Sequence, residues 1–190
     1  PQWAQDVVHQ PVQSEMVANN NLHLLKSGTK TQEILGKSGD NVRIDWGYVY
    51  FAAPKQTNVT SAIGIATNVQ EQFVKNGSLD NTYTPSKSGD MTENLEALSI
   101  VHNLGKVNDS YSTGYVMVAY DDIYSIQYFG DNLRPYWNRS GNKTITDQIT
   151  AAVNEYTTLM DKCADFDVQL MKEALAAGGK EYAELCALAY

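Results

Sequence analysis

The chain has 190 residues, of which 43% are hydrophobic and 19% are charged, and its formal net charge is −8. This balance of apolar and charged residues excludes a wholly disordered chain. The negative charge argues against binding to nucleic acids or to an anionic membrane surface, because both require a basic face. No apolar run approaches the roughly 20 residues of a membrane-spanning helix, so we expect no membrane span.

The first part of the chain, from Val7 to about Trp137, favours β-strands. Between Val42 and Phe51 apolar and aromatic residues alternate with other residues, which is typical of a strand with one face toward a core. The runs over residues 95–107 and 115–129 are rich in β-branched and aromatic residues and predict further strands. Turn-forming clusters separate these runs and few helices intervene. We therefore predict an antiparallel β-sandwich.

Helical spacing of apolar residues predicts the remaining elements. A short helix is expected over Thr67–Val74, and Thr146 is a candidate N-cap for a longer one. The apolar stripe of this longer helix contains Ile149, Ala152, Val153, Tyr156, Leu159, Met160 and Cys163. A second helix is predicted over Val168–Ala177, closed by Gly178-Gly179, and a third follows.

The predicted fold class is therefore α+β, a mainly antiparallel β-sandwich followed by a C-terminal helical segment. We place the β-sandwich domain at residues 1–144. Residues 145–190 are predicted to be linker helices and the start of a helical domain, and they carry most of the acidity, with a net charge of −5.

Asp121 and Asp122 are candidate substrate-binding residues in a predicted strand between Tyr120 and Ile123. Adjacent carboxylates in a strand point to opposite faces, so they cannot act together on one substrate atom. A glycosidase pair would need a second carboxylate facing one of them across a cleft. A structural role for both is the simpler interpretation, and the catalytic residues stay unknown.

Aromatic residues are in surplus, and Trp46 is the third candidate for substrate binding. The aromatic residues in or beside the predicted strands are Trp46, Tyr48, Tyr50, Tyr120, Tyr124, Tyr128, Tyr136 and Trp137. Such rings can stack on sugars or line a groove. More often they fill a sandwich core and direct their polar atoms to backbone partners.

The other polar residues of interest give no chemical signature. The histidines, His9, His23 and His102, are scattered and show no metal-ligand spacing. No nucleophile elbow, phosphate-binding loop or dinucleotide-binding motif is present. Cys163 and Cys186 lie on apolar helical stripes and are interpreted as small core residues. We predict neither a metal site nor a cofactor.

Asp165 and Asp167 lie between the first two predicted helices of the tail. Asp is a preferred residue at a helix N-cap, where its carboxylate accepts a backbone hydrogen bond. We therefore predict that at least one of the two caps the second helix.

Four runs together resemble the glutaminase A family of fungi and gut bacteria. These runs are Leu24–Thr29 (LLKSGT), Gly39–Tyr50 (GDNVRIDWGYVY), Ala119–Phe129 (AYDDIYSIQYF) and Leu170–Tyr190 (LMKEALAAGGKEYAELCALAY). The resemblance implies a secreted, periplasmic or cell-envelope protein. It implies an N-terminal β-sandwich region, linker helices and a C-terminal six-hairpin helical toroid that the chain meets as an intramolecular partner. No catalytic motif of the family maps onto these positions.

The resemblance implies a non-catalytic β-domain and linker of an amidohydrolase that converts L-glutamine to L-glutamate and ammonia, inactive when isolated. An alternative is a carbohydrate-binding or glycosidase-associated sandwich, and a third is a scaffold that shields the toroid. The substrate of the full protein would be a small molecule or a glycan. Calorimetric titration with glutamine and with a panel of glycans discriminates between the first two.

The helical pattern continues to Tyr190 without a capping residue. We expect the chain to be an excised piece of a longer protein that lacks most of the toroid and the first strands of the sandwich. An isolated helix shorter than roughly 12–15 residues is marginal in water. The segment after Gly179 is therefore expected to fray or to pair with a neighbouring copy of the chain.

Overall fold

The computed structural model describes residues 10–37, 39, 44–84, 95–109 and 111–189. Within these ranges there are eight strands, namely β1 Val12–Met16, β2 Leu22–Thr29, β3 Tyr48–Pro54, β4 Val59–Ile65, β5 Glu96–His102, β6 Met117–Asp121, β7 Ile126–Tyr128 and β8 Asp131–Leu133. The helices are α1 Ala66–Asn76, a 3-10 turn Tyr136–Asn138 and α2 Ile145–Ala189. These elements confirm the predicted α+β class. No helix in the described ranges is both long enough and apolar enough to span a membrane.

The strands form antiparallel sheets in two layers with a separate hairpin. The larger sheet has the order β1-β2-β3-β6, and β4 pairs with β5 in the second layer. The register places Leu24 opposite Ala52 and Ile63 opposite Leu98. Both β1 and β2 contact β4, and both β2 and β3 contact β5, so the two sheets pack on each other. The β7–β8 hairpin forms its own two-stranded sheet.

The core lies around β2 and β4, in which most side chains are buried. Leu24 and Leu25 are adjacent in β2 and both are buried. Since successive side chains point to opposite faces of a strand, β2 is covered on both faces. On β4, Ala62 contributes to a cluster with Val69 of α1 and with Leu79. Helix α1 therefore covers the outside of the smaller sheet, and the short helix predicted over Thr67–Val74 is confirmed.

The structure confirms strands in three predicted runs, but these strands are shorter than predicted. The strand predicted from Val42 begins at Tyr48, and Val42 and Arg43 lie outside the described residues. The run 95–107 forms only β5. The run 115–129 divides into β6 and β7, because the chain turns at Ile123, whose φ is +63°. A β-branched residue with positive φ is uncommon, and nothing in the local sequence signals it.

Helix α2 begins one residue earlier than the predicted cap, and Thr144 caps it instead of Thr146. The Thr144 hydroxyl accepts the N–H of Asp147 at 3.1 Å, and the Asp147 carboxylate accepts the N–H of Thr144 at 3.0 Å. This reciprocal pair is a capping box. The hydrogen bonds from Thr144 to the carboxylate lower the pKa of Asp147.

The prediction of separate helices over 146–163 and 168–177 is wrong, because α2 is continuous from Ile145 to a kink at Gly179, whose φ is +76°. Asp165 and Asp167 lie inside the helix and cap nothing. Both side chains are exposed, so their carboxylates are hydrated by solvent and do not compete with the backbone hydrogen bonds of the helix. Cys163 is also exposed, which corrects its assignment to the core, while Cys186 is half-buried.

The chain divides into two compact units, Pro1–Ile149 and Thr150–Tyr190. The first unit contains all eight strands and the capped start of α2. In the second unit Ala174 and Ala183 are buried, on either side of the kink, whereas Leu159 and Met160 are about half exposed. The second half of the predicted apolar stripe, from Leu159 to Cys163, is therefore exposed to solvent.

Candidate functional site

Trp46 lies just before β3 and is buried, with 3% of its surface exposed. Its indole Nε1 donates hydrogen bonds to the carbonyl oxygens of Asp122, at 2.8 Å, and Tyr124, at 3.2 Å. The Tyr120 hydroxyl donates to the carbonyl oxygen of Trp46. The side chain thus joins the segment before β3 to the turn after β6. It offers no open ring face on which a sugar could stack.

The two carboxylates, Asp121 and Asp122, lie where β6 ends. Asp121 is the last residue of β6, and its Oδ1 accepts the backbone N–H of Ile123 at 3.0 Å. This bond supports the turn at Ile123. Asp122 follows the strand, and its carbonyl oxygen accepts the Trp46 indole. The prediction that a strand continues through both carboxylates to Ile123 is therefore wrong.

The structure brings all three predicted site residues together in one place, the Trp46 junction, which comprises residues 46–47 and 120–124. The contacts that hold them are a carboxylate-to-backbone bond and two indole-to-carbonyl bonds. No two carboxylates face each other across a cleft here, since Asp121 and Asp122 are neighbours in the chain. The geometry of the junction fits a structural role.

A second group of polar residues lines a cleft of about 360 Å³ beside β2 and β4. Nδ1 of His23 on β2 lies 2.9 Å from the hydroxyl oxygen of Ser61 on β4. The backbone N–H of Ser61 donates to Oδ1 of Asn81 at 2.9 Å. Nζ of Lys55 donates to the carbonyl oxygen of Asn19 at 2.6 Å. All five residues line the cleft.

Burial lowers the pKa of His23, and the positive charge of Lys55 lowers it further. The neutral imidazole is therefore favoured, and in this form a ring nitrogen can accept a hydroxyl proton. Ser61 is only 2% exposed, however, and no described residue lining the cleft is acidic. The pair consequently lacks the carboxylate that would orient an imidazole for nucleophilic catalysis.

Sequence reasoning missed the His23–Ser61 pair. The two residues are 38 positions apart, and only the packing of β2 against β4 brings them together. No spacing rule contains that information. Within the described ranges no group of three His, Cys, Asp or Glu residues is placed to hold a metal ion.

We expect the stability of the chain to fall as the pH falls below about 6.5, partly through His23. The folded-state pKa is lower than the unfolded value of 6.5, so between the two values the unfolded chain binds more protons. The stability that His23 contributes is present above pH 6.5 and is lost as the pH falls toward the folded-state pKa.

The matched variant is His23→Asn, whose amide can replace Nδ1 as a partner for Ser61. Urea midpoints between pH 5 and pH 8 should vary less with pH in this variant than in the wild type. Equal pH slopes in the two proteins would contradict the lowered pKa of His23.

Comparisons with known proteins connect the whole strand region to one family. Neither the search of curated proteins nor the search of solved structures found a match. The model of a family described as a domain of unknown function, DUF5127, matches residues 1–173. This match covers all of the strands and most of α2. The chain therefore belongs to the DUF5127 family.

Proposed function

We propose that this chain is a non-catalytic β-domain with linker helices from a secreted glutaminase-like amidohydrolase. The sequence runs that resemble the glutaminase A family support the activity of the whole protein. The observation that carries the non-catalytic role is the Trp46 junction, where the Trp46 indole, the Asp121 carboxylate and the Asp122 carbonyl oxygen form hydrogen bonds within the fold. Glutamine hydrolysis needs an activated nucleophile and donors for the developing oxyanion.

On this proposal the chemistry belongs to a helical toroid domain that is the intramolecular partner of the β-domain. The whole protein would act on a small molecule and work outside the cytoplasm, in a secreted, periplasmic or cell-envelope location. The β-domain would contribute a rigid surface instead of reacting groups.

The test measures ammonia release from glutamine by the purified chain and by the full-length protein that contains it. We expect no turnover by the chain alone. The full-length protein should hydrolyse glutamine, and Asp121→Asn should leave its kcat nearly unchanged, because an amide oxygen can still accept the N–H of Ile123.

Two results would contradict the proposal. Turnover by the isolated chain that is lost in Asp121→Asn or Asp122→Asn would make the β-domain catalytic. Absence of glutamine hydrolysis by the full-length protein would remove the amidohydrolase assignment.

A carbohydrate-binding function is the second candidate, favoured by exposed aromatic rings on the β7–β8 hairpin and the 3-10 turn. Tyr128, Phe129 and Tyr136 are 60%, 91% and 81% exposed. Exposed apolar patches on a protein surface often mark binding sites. Trp46, the aromatic residue predicted for this role, is buried and does not take part.

A further inference from the structure

A pocket of about 400 Å³ lies between the β7–β8 hairpin and the 3-10 turn. Its apolar walls come from Ile126, Leu133, Pro135 and Tyr136, and two cations, Arg134 and Arg139, also line it. Clefts of 300–1,000 Å³ with apolar walls and a few convergent polar groups are the usual form of small-ligand sites.

The charge of this pocket is opposite to that of the chain. Residues 124–143 contain three basic residues and one acidic residue, a net charge of +2 in a chain of net charge −8. No Asp or Glu is among the described residues that line the pocket. An anionic ligand is therefore attracted to this segment of a chain that otherwise repels it.

Aromatic rings hold both guanidinium groups. Cζ of Arg134 lies 5.0 Å from the ring centroid of Tyr124, and Cζ of Arg139 lies 4.5 Å from that of Tyr136. Nη2 of Arg134 also donates to the Tyr124 hydroxyl at 3.5 Å. The other N–H donors of the two guanidinium groups match the two oxygens of a carboxylate. The stacking restricts each arginine before a ligand arrives, which lowers the entropic cost of binding.

The tip of the hairpin adds a second, independent observation. Phe129 occupies the first central position of the two-residue turn, with φ +48°, where Asn, Asp or Gly is preferred. It is 91% exposed, and its ring forms a T-shaped pair with that of Tyr128, with ring centroids 4.5 Å apart. An exposed bulky residue in an unfavourable backbone conformation indicates a function for its side chain.

We propose that this hairpin pocket binds acidic sugar units of a polysaccharide, with a uronic acid as the preferred unit. The carboxylate pairs with Arg134 and Arg139, and the apolar C–H face of the pyranose ring packs on Tyr136 and the aliphatic wall. Tyr128 and Phe129 extend the contact to a neighbouring sugar. This inference rests on the carbohydrate-binding candidate above and is independent of the amidohydrolase proposal.

The experiment is calorimetric titration of the chain with oligogalacturonate and with the same oligomer after methyl esterification, which removes the charge but keeps the sugar. We expect binding of the acid form and at least tenfold weaker binding of the ester, because the ester cannot form charge-assisted hydrogen bonds with the two guanidinium groups. Arg134→Gln and Arg139→Gln should each weaken binding about tenfold or more. Lys143→Gln removes the same charge from the segment outside the pocket and should change affinity less than about threefold.

Titrations with other ligands show which part of the proposal fails, the preference for an acidic sugar or carbohydrate binding as a whole. Equal affinity for the ester and the acid would keep a carbohydrate-binding function and overturn the acidic preference. Binding of a sulfated oligosaccharide but not of oligogalacturonate would make sulfate, not carboxylate, the anion. Binding of poly-glutamate or of anionic lipid vesicles, with no response to any oligosaccharide, would overturn the inference and the carbohydrate-binding candidate together.

Discussion

Gly47→Ala should destabilise the β-sheet unit by about 3 kcal/mol or more. Gly47 has φ +87°, and a Cβ placed on it would lie 2.4 Å from the carbonyl oxygen of Asp121 and 3.0 Å from Cα of Asp122. A non-glycine residue in a sparsely populated backbone region costs about 1–3 kcal/mol, and overpacking adds about 1–3 kcal/mol. The neighbouring atoms are backbone, so they cannot rotate away. This loss is a large part of the 5–15 kcal/mol that keeps a typical domain folded.

Gly105→Ala is the matched control for this substitution. Gly105 also has positive φ, at +64°, but nothing lies within 4 Å of the Cβ position. The free energy of unfolding should therefore fall only by the cost of an alanine at positive φ, about 1 kcal/mol. Urea denaturation of both variants, followed by circular dichroism, measures the difference. Equal losses in the two variants would mean that the close approach of Asp121 to Gly47 contributes nothing.

The backbone of Gly47 is also held by a residue outside the Trp46 junction. The side-chain oxygen of Gln32 accepts the N–H of Gly47, and its amide nitrogen donates to the Gly47 carbonyl oxygen at 3.3 Å. Backbone groups that are buried must find such partners, because an unpaired one costs about 1–3 kcal/mol. The residues around Trp46 thus form a connected network of hydrogen bonds that holds the backbone of the junction in place.

The fold class was predictable because it depends on periodicity. The period of two around Tyr48 and Tyr50 predicts a strand, and β3 lies there. The helical spacing after Ile149 predicts a helix, and α2 lies there. Helix α1 was predictable for the same reason. These patterns are local and reflect which face of an element is buried.

Element boundaries and the candidate site were not predictable for physical reasons. The end of β6 depends on the positive φ of Ile123 and on the bond from Asp121 to its N–H, which a β-rich run conceals. Asp165 and Asp167 carry the signature of a cap but are only hydrated residues on the exposed face of a long helix. Trp46 and Asp122 are 76 positions apart in the sequence, and His23 and Ser61 are 38 positions apart. Their contacts therefore form only when the sheets assemble.

Trp46→Ala should be the most destabilising substitution of an aromatic residue in the chain's described part, at about 3–5 kcal/mol. It removes a large ring that is 3% exposed, and it removes the donor for the carbonyl oxygens of Asp122 and Tyr124. Tyr111→Ala is the control, because Tyr111 is fully exposed and its loss should change the free energy of unfolding by less than about 0.5 kcal/mol.

Trp46→Phe separates the two contributions of the side chain. Phenylalanine keeps most of the buried ring but leaves both carbonyl oxygens without the indole N–H, which should cost about 1–3 kcal/mol. A structural residue therefore gives a graded series, with Trp46→Phe between the wild type and Trp46→Ala. If Trp46→Ala instead unfolded at the wild-type urea midpoint while glycan or glutamine binding was lost, Trp46 would be a ligand-binding residue. The Trp46 junction would then be a binding site that opens in solution, and the assignment of the β-domain as non-catalytic would need a different basis.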